Sequence, residues 1–324
     1  MNFHNEPKIS IQDLSTLLGI SRQAIHARLK KSNLECKKSG QIGYLTHNIT
    51  KKLFNFTFPQ INIAVQHIKG GVGKTTTTDT EGDFFSSLGA KLLKIDSDFQ
   101  KNLTSRYAIS KTQVDNMPVL IDLVNGNGSI KDSIIQVSEG VDLLPSRFEN
   151  ATIDSALSSP NIDLSTVFLK IFEPIRQNYD IIIFDCPAML GKLVTAITLY
   201  SDLILCPINP ERYSIEGLET LQTELKRISQ SYDRNINYKV FLNKFESSTK
   251  LSNDNTVINV LEHEINSGNG YDQAIIKSQE IINALQNGQN VFSYVKKSDV
   301  RSDFADLGKQ VLGWNDSNNF ITNK

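Results

Sequence analysis

INIAVQHIKGGVGKTTTTDTEGDFFSSL, residues 61–88, decides how the rest of the chain is read. Residues 61–68 form an apolar run rich in β-branched side chains, which predicts a strand. Lys69-Gly70-Gly71-Val72-Gly73-Lys74-Thr75-Thr76 follows, and residues 77–88 fit a helix. In that order, a strand, a glycine turn and a helix make a phosphate cradle. The glycines let backbone N–H groups turn towards an anion at a helix N-terminus, where unbonded donors and the helix dipole favour negative charge. Lys74 has the reach for the β- and γ-phosphates of a nucleotide, and the Thr75 hydroxyl can ligate Mg²⁺. The ordinary pattern puts a glycine six residues before the lysine. Ile68 stands there instead, and a second lysine, Lys69, precedes the glycines.

Working outward, further apolar runs at 91–95, 180–184, 203–208, 239–242 and 274–276 predict strands. Helical stretches at 164–177, 191–201, 214–230, 253–266, 278–287 and 299–312 separate most of them. Alternating strands and helices imply an α/β fold, a mostly parallel twisted sheet covered by helices on both faces. Ligands bind beyond the carboxyl ends of such strands. Asp96 and Asp98 follow one predicted strand and Asp185 another, so they can converge on the glycine loop. Asp185 can hold a Mg²⁺-bound water. Of Asp96 and Asp98, one can join the Mg²⁺ water shell and the other can orient an attacking water; alternation along the strand sends them different ways.

Residues 1–58 read as a separate module, with 59–324 as the body. Leu14, Leu17 and Leu18 stripe a short helix, Gly19 supplies a turn, and Ser21 can cap a second helix whose Ile25 and Leu29 share a face. The pattern resembles helix-turn-helix DNA-binding modules. Arg22, Gln23, His26 and Lys30 then fall on the exposed face, able to bond base edges or phosphates. Arg28 departs from that pattern, standing where an apolar residue is usual. Two short strands around Ser39-Gly40 suggest a wing with Lys37 and Lys38 facing phosphate. The phenylalanines of residues 54–58 can pack the module onto the body or onto a partner subunit.

Net charge is −1 over 324 residues, but it is unevenly spread. Residues 1–60 hold nine Lys/Arg and three Asp/Glu, leaving 25 and 32 for the remainder. The asymmetry suggests an anion-binding module on an acidic body. Three cysteines without CxxC spacing are expected to be reduced thiols. No apolar run approaches transmembrane length, and the N-terminus lacks an export-signal core. A soluble cytoplasmic protein with no membrane partner is therefore expected.

Taken together, KGGVGKTTT at 69–77, IDSDFQKNLT at 95–104, IIIFDCPA at 181–188 and PINPERYSIEGL at 207–218 resemble the ParA/MinD family of ATPases with a deviant Walker A motif. The resemblance covers most of residues 60–315. With the N-terminal module it is strongest to plasmid-partition ParA proteins that also bind their operator. It implies ATP and Mg²⁺ as cofactors, bound by Gly70, Gly71, Val72, Gly73, Lys74, Thr75 and Thr76, with Pro207 and Asn243 near the base. Lys69 would reach across an ATP-dependent homodimer to the partner's phosphates. Asp98 would serve hydrolysis, and Asp96 with Asp185 the Mg²⁺ water network. A ParB-like centromere-binding protein would stimulate hydrolysis, which is slow in its absence. Nucleoid DNA would be held non-specifically, through Lys277, Lys296, Lys297 and Arg301, while the module represses its own operon. Phe99 and Ala188 replace prolines common in the family. Asn243-Lys244-Phe245-Glu246 is also similar to a guanine-reading motif, although the surrounding motifs favour ATP. A nucleotide-switched transcriptional regulator without a segregation role is the alternative.

Overall fold

The first strand of the body alternates its side chains between two packing layers. The computed structural model describes residues 6–246, 256–289, 291–292 and 299–314. In chain order the N-terminal module comprises β1 (Lys8–Ser10), α1 (Ile11–Leu18), α2 (Arg22–Lys31), β2 (Lys37–Ser39), β3 (Ile42–Thr46) and α3 (His47–Phe54). The body continues with β4 (Ile61–Val65), α4 (Lys74–Ser87), β5 (Leu92–Asp96), α5 (Lys111–Asp115) and α6 (Leu120–Val124). Then come β6 (Ile135–Ser138), β7 (Val141–Leu144), α7 (Ile153–Ala156), α8 (Val167–Arg176), β8 (Ile181–Asp185), α9 (Lys192–Tyr200) and β9 (Leu203–Ile208). Last are α10 (Arg212–Tyr232), β10 (Tyr238–Phe245), α11 (Thr256–Asn266), β11 (Gly270–Ile276), α12 (Gln279–Gln286) and α13 (Asp299–Val311).

Among the described residues, eight body strands form one sheet in the order β11-β10-β9-β4-β8-β5-β7-β6. Every neighbouring pair is parallel except β6 and β7, an antiparallel edge hairpin. Both faces are covered, the arrangement parallel sheets require. Ile63 and Val65 of β4 pack with Phe84, Phe85, Phe304 and Leu307 of α4 and α13. Ala64, between them, packs with Phe168, Phe172, Ile197 and Leu218 of α8, α9 and α10. This agrees with the expected α/β architecture. The β6–β7 hairpin and the short helices α5, α6 and α7 were not expected.

The module forms its own three-stranded antiparallel sheet, ordered β1-β3-β2. Between α1 and α2, Gly19 turns with φ 63°, and the Ser15 hydroxyl donates to Ile20 O at 2.6 Å. Ser21 caps α2, its Oγ accepting the Ala24 N–H at 3.1 Å. Arg28 finds an aromatic partner: its guanidinium lies 5.2 Å from the Phe54 ring centroid. Ile9, Leu14, Ile25, Leu45, Phe54 and Phe56 belong to the same buried cluster as the apolar face of α4 and α13. Phe56 and Phe58 each tilt against Trp314, with centroids 5.6 and 5.5 Å apart. Module and body thus share one hydrophobic core.

Candidate nucleotide site

Helix α4 begins at Lys74, earlier than the residue pattern suggested, because Gly73 adopts the left-handed conformation that starts it (φ 101°). A Cβ at Gly73 would stand 2.3 Å from Asn243 Nδ2, so only glycine fits. The early start puts Lys74, Thr75 and Thr76 in the first turn, where N–H groups have no intrahelical acceptor. The loop before them is gripped by its carbonyls. Asn243 Nδ2 donates to Val72 O at 2.7 Å and Lys244 Nζ to Gly71 O at 2.6 Å. Asn209 Nδ2 adds a longer bond to Gly71 O at 3.4 Å. Holding the carbonyls leaves the amide edge of Gly70–Gly73 for an anion.

Lys74 is buried, and its Nζ donates to Lys69 O at 3.1 Å. Burial pushes its pKa down, against the attraction of the nearby Asp185. Behind the loop, His67 Nδ1 accepts the Lys69 N–H at 3.0 Å. Its Nε2 therefore carries the proton and faces Ser214 O at 3.1 Å. Burial pushes this imidazole down to about 4, so it is neutral at pH 7. Lys69 itself forms an ion pair with Glu211 of the same chain.

The acids arrive at the ends of adjacent strands, with Asp96 of β5 opposite Asp185 of β8. Asp96 accepts from Thr104 N at 2.8 Å, Thr104 Oγ1 at 2.6 Å and Asp98 N at 3.2 Å. Asp185 is buried, and neither carboxylate oxygen has a hydrogen-bond partner. Burial, reinforced by Asp96, pushes its pKa well up. An orphaned buried carboxylate beside Lys74 and facing the Thr75 hydroxyl is what a divalent cation would relieve. The residues present fit Mg²⁺ and a nucleotide phosphate. Asp98 is half-buried and points elsewhere, its Oδ1 accepting the Gln100 N–H at 3.0 Å.

Several expectations need correction. Arg301, expected to meet DNA, is 5% exposed; it pairs with Asp13 at 3.2 Å and lies 5.4 Å from the Phe292 ring centroid. It joins α13 to α1 and is not available to phosphate. Pro207 is buried inside β9, opposite Phe241 of β10, while Asn209, two residues on, reaches the loop. The Asn243 amide is committed to the loop carbonyl, and its oxygen accepts the Lys244 N–H at 3.0 Å. Lys277 is exposed but paired with Glu246. Lys296 and Lys297 lie outside the described residues. Arg22, Gln23, His26 and Lys30 are exposed along α2, and Lys37 and Lys38 along β2; Lys37 also contacts Glu6 at 2.8 Å.

Sequence reading missed a charged layer beneath the site. Lys94, fully buried in β5, donates to Asp79 Oδ1 at 2.7 Å, Asp79 O at 2.8 Å, Asp83 Oδ1 at 2.6 Å and Tyr107 OH at 2.8 Å. Gly82 makes the room, since a Cβ there would meet Lys94 Cε at 2.5 Å. The lone lysine inside an apolar run and the acids at 79 and 83 were the available signal.

The family model described as an AAA domain, AAA_31, matches residues 60–238, more than half of the chain. Over 254 residues the chain is 29% identical to the sporulation initiation inhibitor protein Soj of Bacillus subtilis, covering 77% of this chain and 97% of that protein. It is 26% identical over 260 residues to the chromosome partitioning protein ParA of Caulobacter vibrioides, covering 77% and 93%. The chain belongs to the ParA/MinD family of P-loop ATPases. Among solved structures, the ATP complex of a McdA variant from Cyanothece shares the fold. It has a TM-score of 0.69 at 19% identity, over 82% of this chain and 98% of that one. A putative plasmid partition protein of Borrelia burgdorferi bound to AMPPNP has a TM-score of 0.62 at 19% identity, over 80% and 100%. The Caulobacter relative of this ParA/MinD chain is thus named for chromosome partitioning. Among the described residues no helix is long and apolar enough to cross a membrane.

Proposed function

We propose that this ParA-family ATPase drives DNA partition, with an ATP-bound dimer on nucleoid DNA and an N-terminal module that binds its own operator. The carrying observation is the bare, buried carboxylate of Asp185 beside Lys74 and Thr75. Mg²⁺ held by Thr75, Asp185 and the water network of Asp96 would neutralise charge on the transferring phosphate. Lys74, released from Lys69 O, bonds the phosphate oxygens. The N–H groups of residues 70–76 line the phosphates. Asp98 turns from the Gln100 N–H to orient the attacking water.

Lys69 sits beside the loop in an ion pair that is partly exposed and easily exchanged. In a dimer it leaves Glu211 for the partner copy's phosphates, supplying positive charge in trans. A ParB-like partner accelerates an otherwise slow reaction. Lys277, with Lys296 and Lys297, contributes to non-specific DNA binding. In the module, Arg22, Gln23, His26 and Lys30 read the operator, with Lys37 and Lys38 on its phosphates. Adenine is the favoured base, because the motifs at 69–77, 95–104 and 181–188 resemble those of the ATP-using family. The alternative, a nucleotide-switched regulator, draws support from the core that the module shares with α4.

The test is ATP turnover with and without DNA and the product of the adjacent reading frame. Asp98→Ala should bind ATP as wild type does and lose roughly 10²-fold or more in kcat. An unchanged rate would remove Asp98 from catalysis. DNA binding that responds to ATP, with no turnover under any condition, would favour the regulator.

A further inference from the structure

We propose that Arg106 is a positioning residue for hydrolysis, tying the segment that carries Asp98 to the first turns of the phosphate-loop helix through Thr76 and Asp79. The inference rests on the ATPase reading above.

Residues 96–107, DSDFQKNLTSRY, leave β5 and pass the site. Their near end is pinned: the Ser97 hydroxyl donates to Asp185 O at 2.6 Å, and Asp98 N to Asp96 Oδ1 at 3.2 Å. Thr104 returns to Asp96 with two bonds. One 3₁₀ turn, Thr104–Arg106, then delivers two consecutive side chains onto α4. Arg106 spreads its fork, NH1 to Asp79 Oδ2 at 3.0 Å and NH2 to Thr76 Oγ1 at 3.0 Å. Tyr107 OH donates to Asp79 Oδ1 at 2.8 Å. Asp98 therefore lies on a loop whose two ends are bonded to elements that also carry the Mg²⁺ and phosphate ligands.

Charges balance in this layer, with Lys94 and Arg106 against Asp79 and Asp83. Burial disfavours the Asp79 anion, yet Lys94 and Arg106 hold its carboxyl well below the usual range. The two cations have different tasks. Lys94 is fully buried and bonds four atoms, so it supports the fold. Arg106 is at the rim, its side chain 15% exposed, and it bonds the residue next to Thr75. Losing Arg106 still leaves Lys94 and Tyr107 bonded to Asp79 but frees the loop from Thr76. A lysine at 106 can satisfy one of the two acceptors, not both, because it lacks the planar fork.

The experiment compares wild type with Arg106→Ala and Arg106→Lys in the full chain. It measures kcat and KM for Mg·ATP, thermal melting, and hydrogen exchange of residues 97–107. Displacing a water-orienting group by a fraction of an ångström or more costs roughly tenfold to a hundredfold in rate. We expect that loss in kcat for Arg106→Ala, with KM within about twofold, faster exchange confined to 97–107, and partial recovery with lysine. If alanine does not fold, Arg106→Gln, which keeps a donor, takes its place. An unchanged kcat overturns the inference, as does a kcat loss without altered exchange in 97–107. A wild type that does not turn over ATP overturns the functional reading first, and the positioning role with it; active wild type with an unaffected variant overturns the positioning role alone.

Discussion

Glu81 occupies the core side of α4, with both carboxylate oxygens buried and without hydrogen-bond partners. Burial pushes its pKa well up, so the folded chain keeps it protonated where the unfolded chain would not. An unfolded glutamate ionises near pH 4.3. The group's contribution to stability is therefore greatest below that pH and is lost as pH rises towards the folded pKa. Glu81→Leu, similar in volume, should stabilise the chain by about 1–3 kcal/mol at pH 7. Denaturant unfolding at pH 5 and pH 8 should show a larger gain at pH 8. Equal gains at both would mean that Glu81 ionises in the folded state. The same scale shows what single residues disclosed. Lys74, Thr75, Asp96 and Asp185 were legible because each follows an apolar run or a glycine turn. Asn209 and Lys244 were not, since their value comes from reaching carbonyls of a loop more than a hundred positions earlier.

Elements differ in how far their sequence betrays them. β5, β8 and β9 end within one residue of their apolar runs, whereas β4 stops at Val65, three residues before the expected end at Ile68. The β6–β7 hairpin escaped notice because each strand has only four residues, too few for a period. Arg301 was misread for a related reason: charge in α13 suggests solvent, and only the fold brings Asp13 of α1 to it. Between α4 and β5 the packing is ionic where a parallel sheet usually buries hydrocarbon. Lys94→Met would remove the buried ammonium that bonds both Asp79 and Asp83, and removing one side of a buried pair costs about 3–5 kcal/mol. Loss of that size in denaturant unfolding is the expected outcome. A loss near zero would mean that the remaining contacts of Asp79 and Asp83 are enough to hold them.

At the scale of the whole molecule, the N-terminal module and the ATPase body are one packing unit. Residues 59–324 alone would expose the faces of α4 and α13 that Phe54, Phe56 and Leu45 cover. Such a fragment should associate and melt below the full chain, measurable by light scattering and calorimetry. A monomeric fragment of undiminished melting temperature would contradict the shared core. Operator binding is therefore better tested by Arg22→Ala with Gln23→Ala in the intact chain than by truncation. The order of the sheet has its own consequence. β4, which leads into the phosphate loop, pairs with residues 181–185 on one side and 203–205 on the other. The module closes its sheet within residues 8–46. As the chain emerges from the ribosome, the small sheet can form first, while β4 waits for more than a hundred further residues before either neighbour exists. During that wait the module, made before the body, can cover the face of α4 that it shares in the finished core.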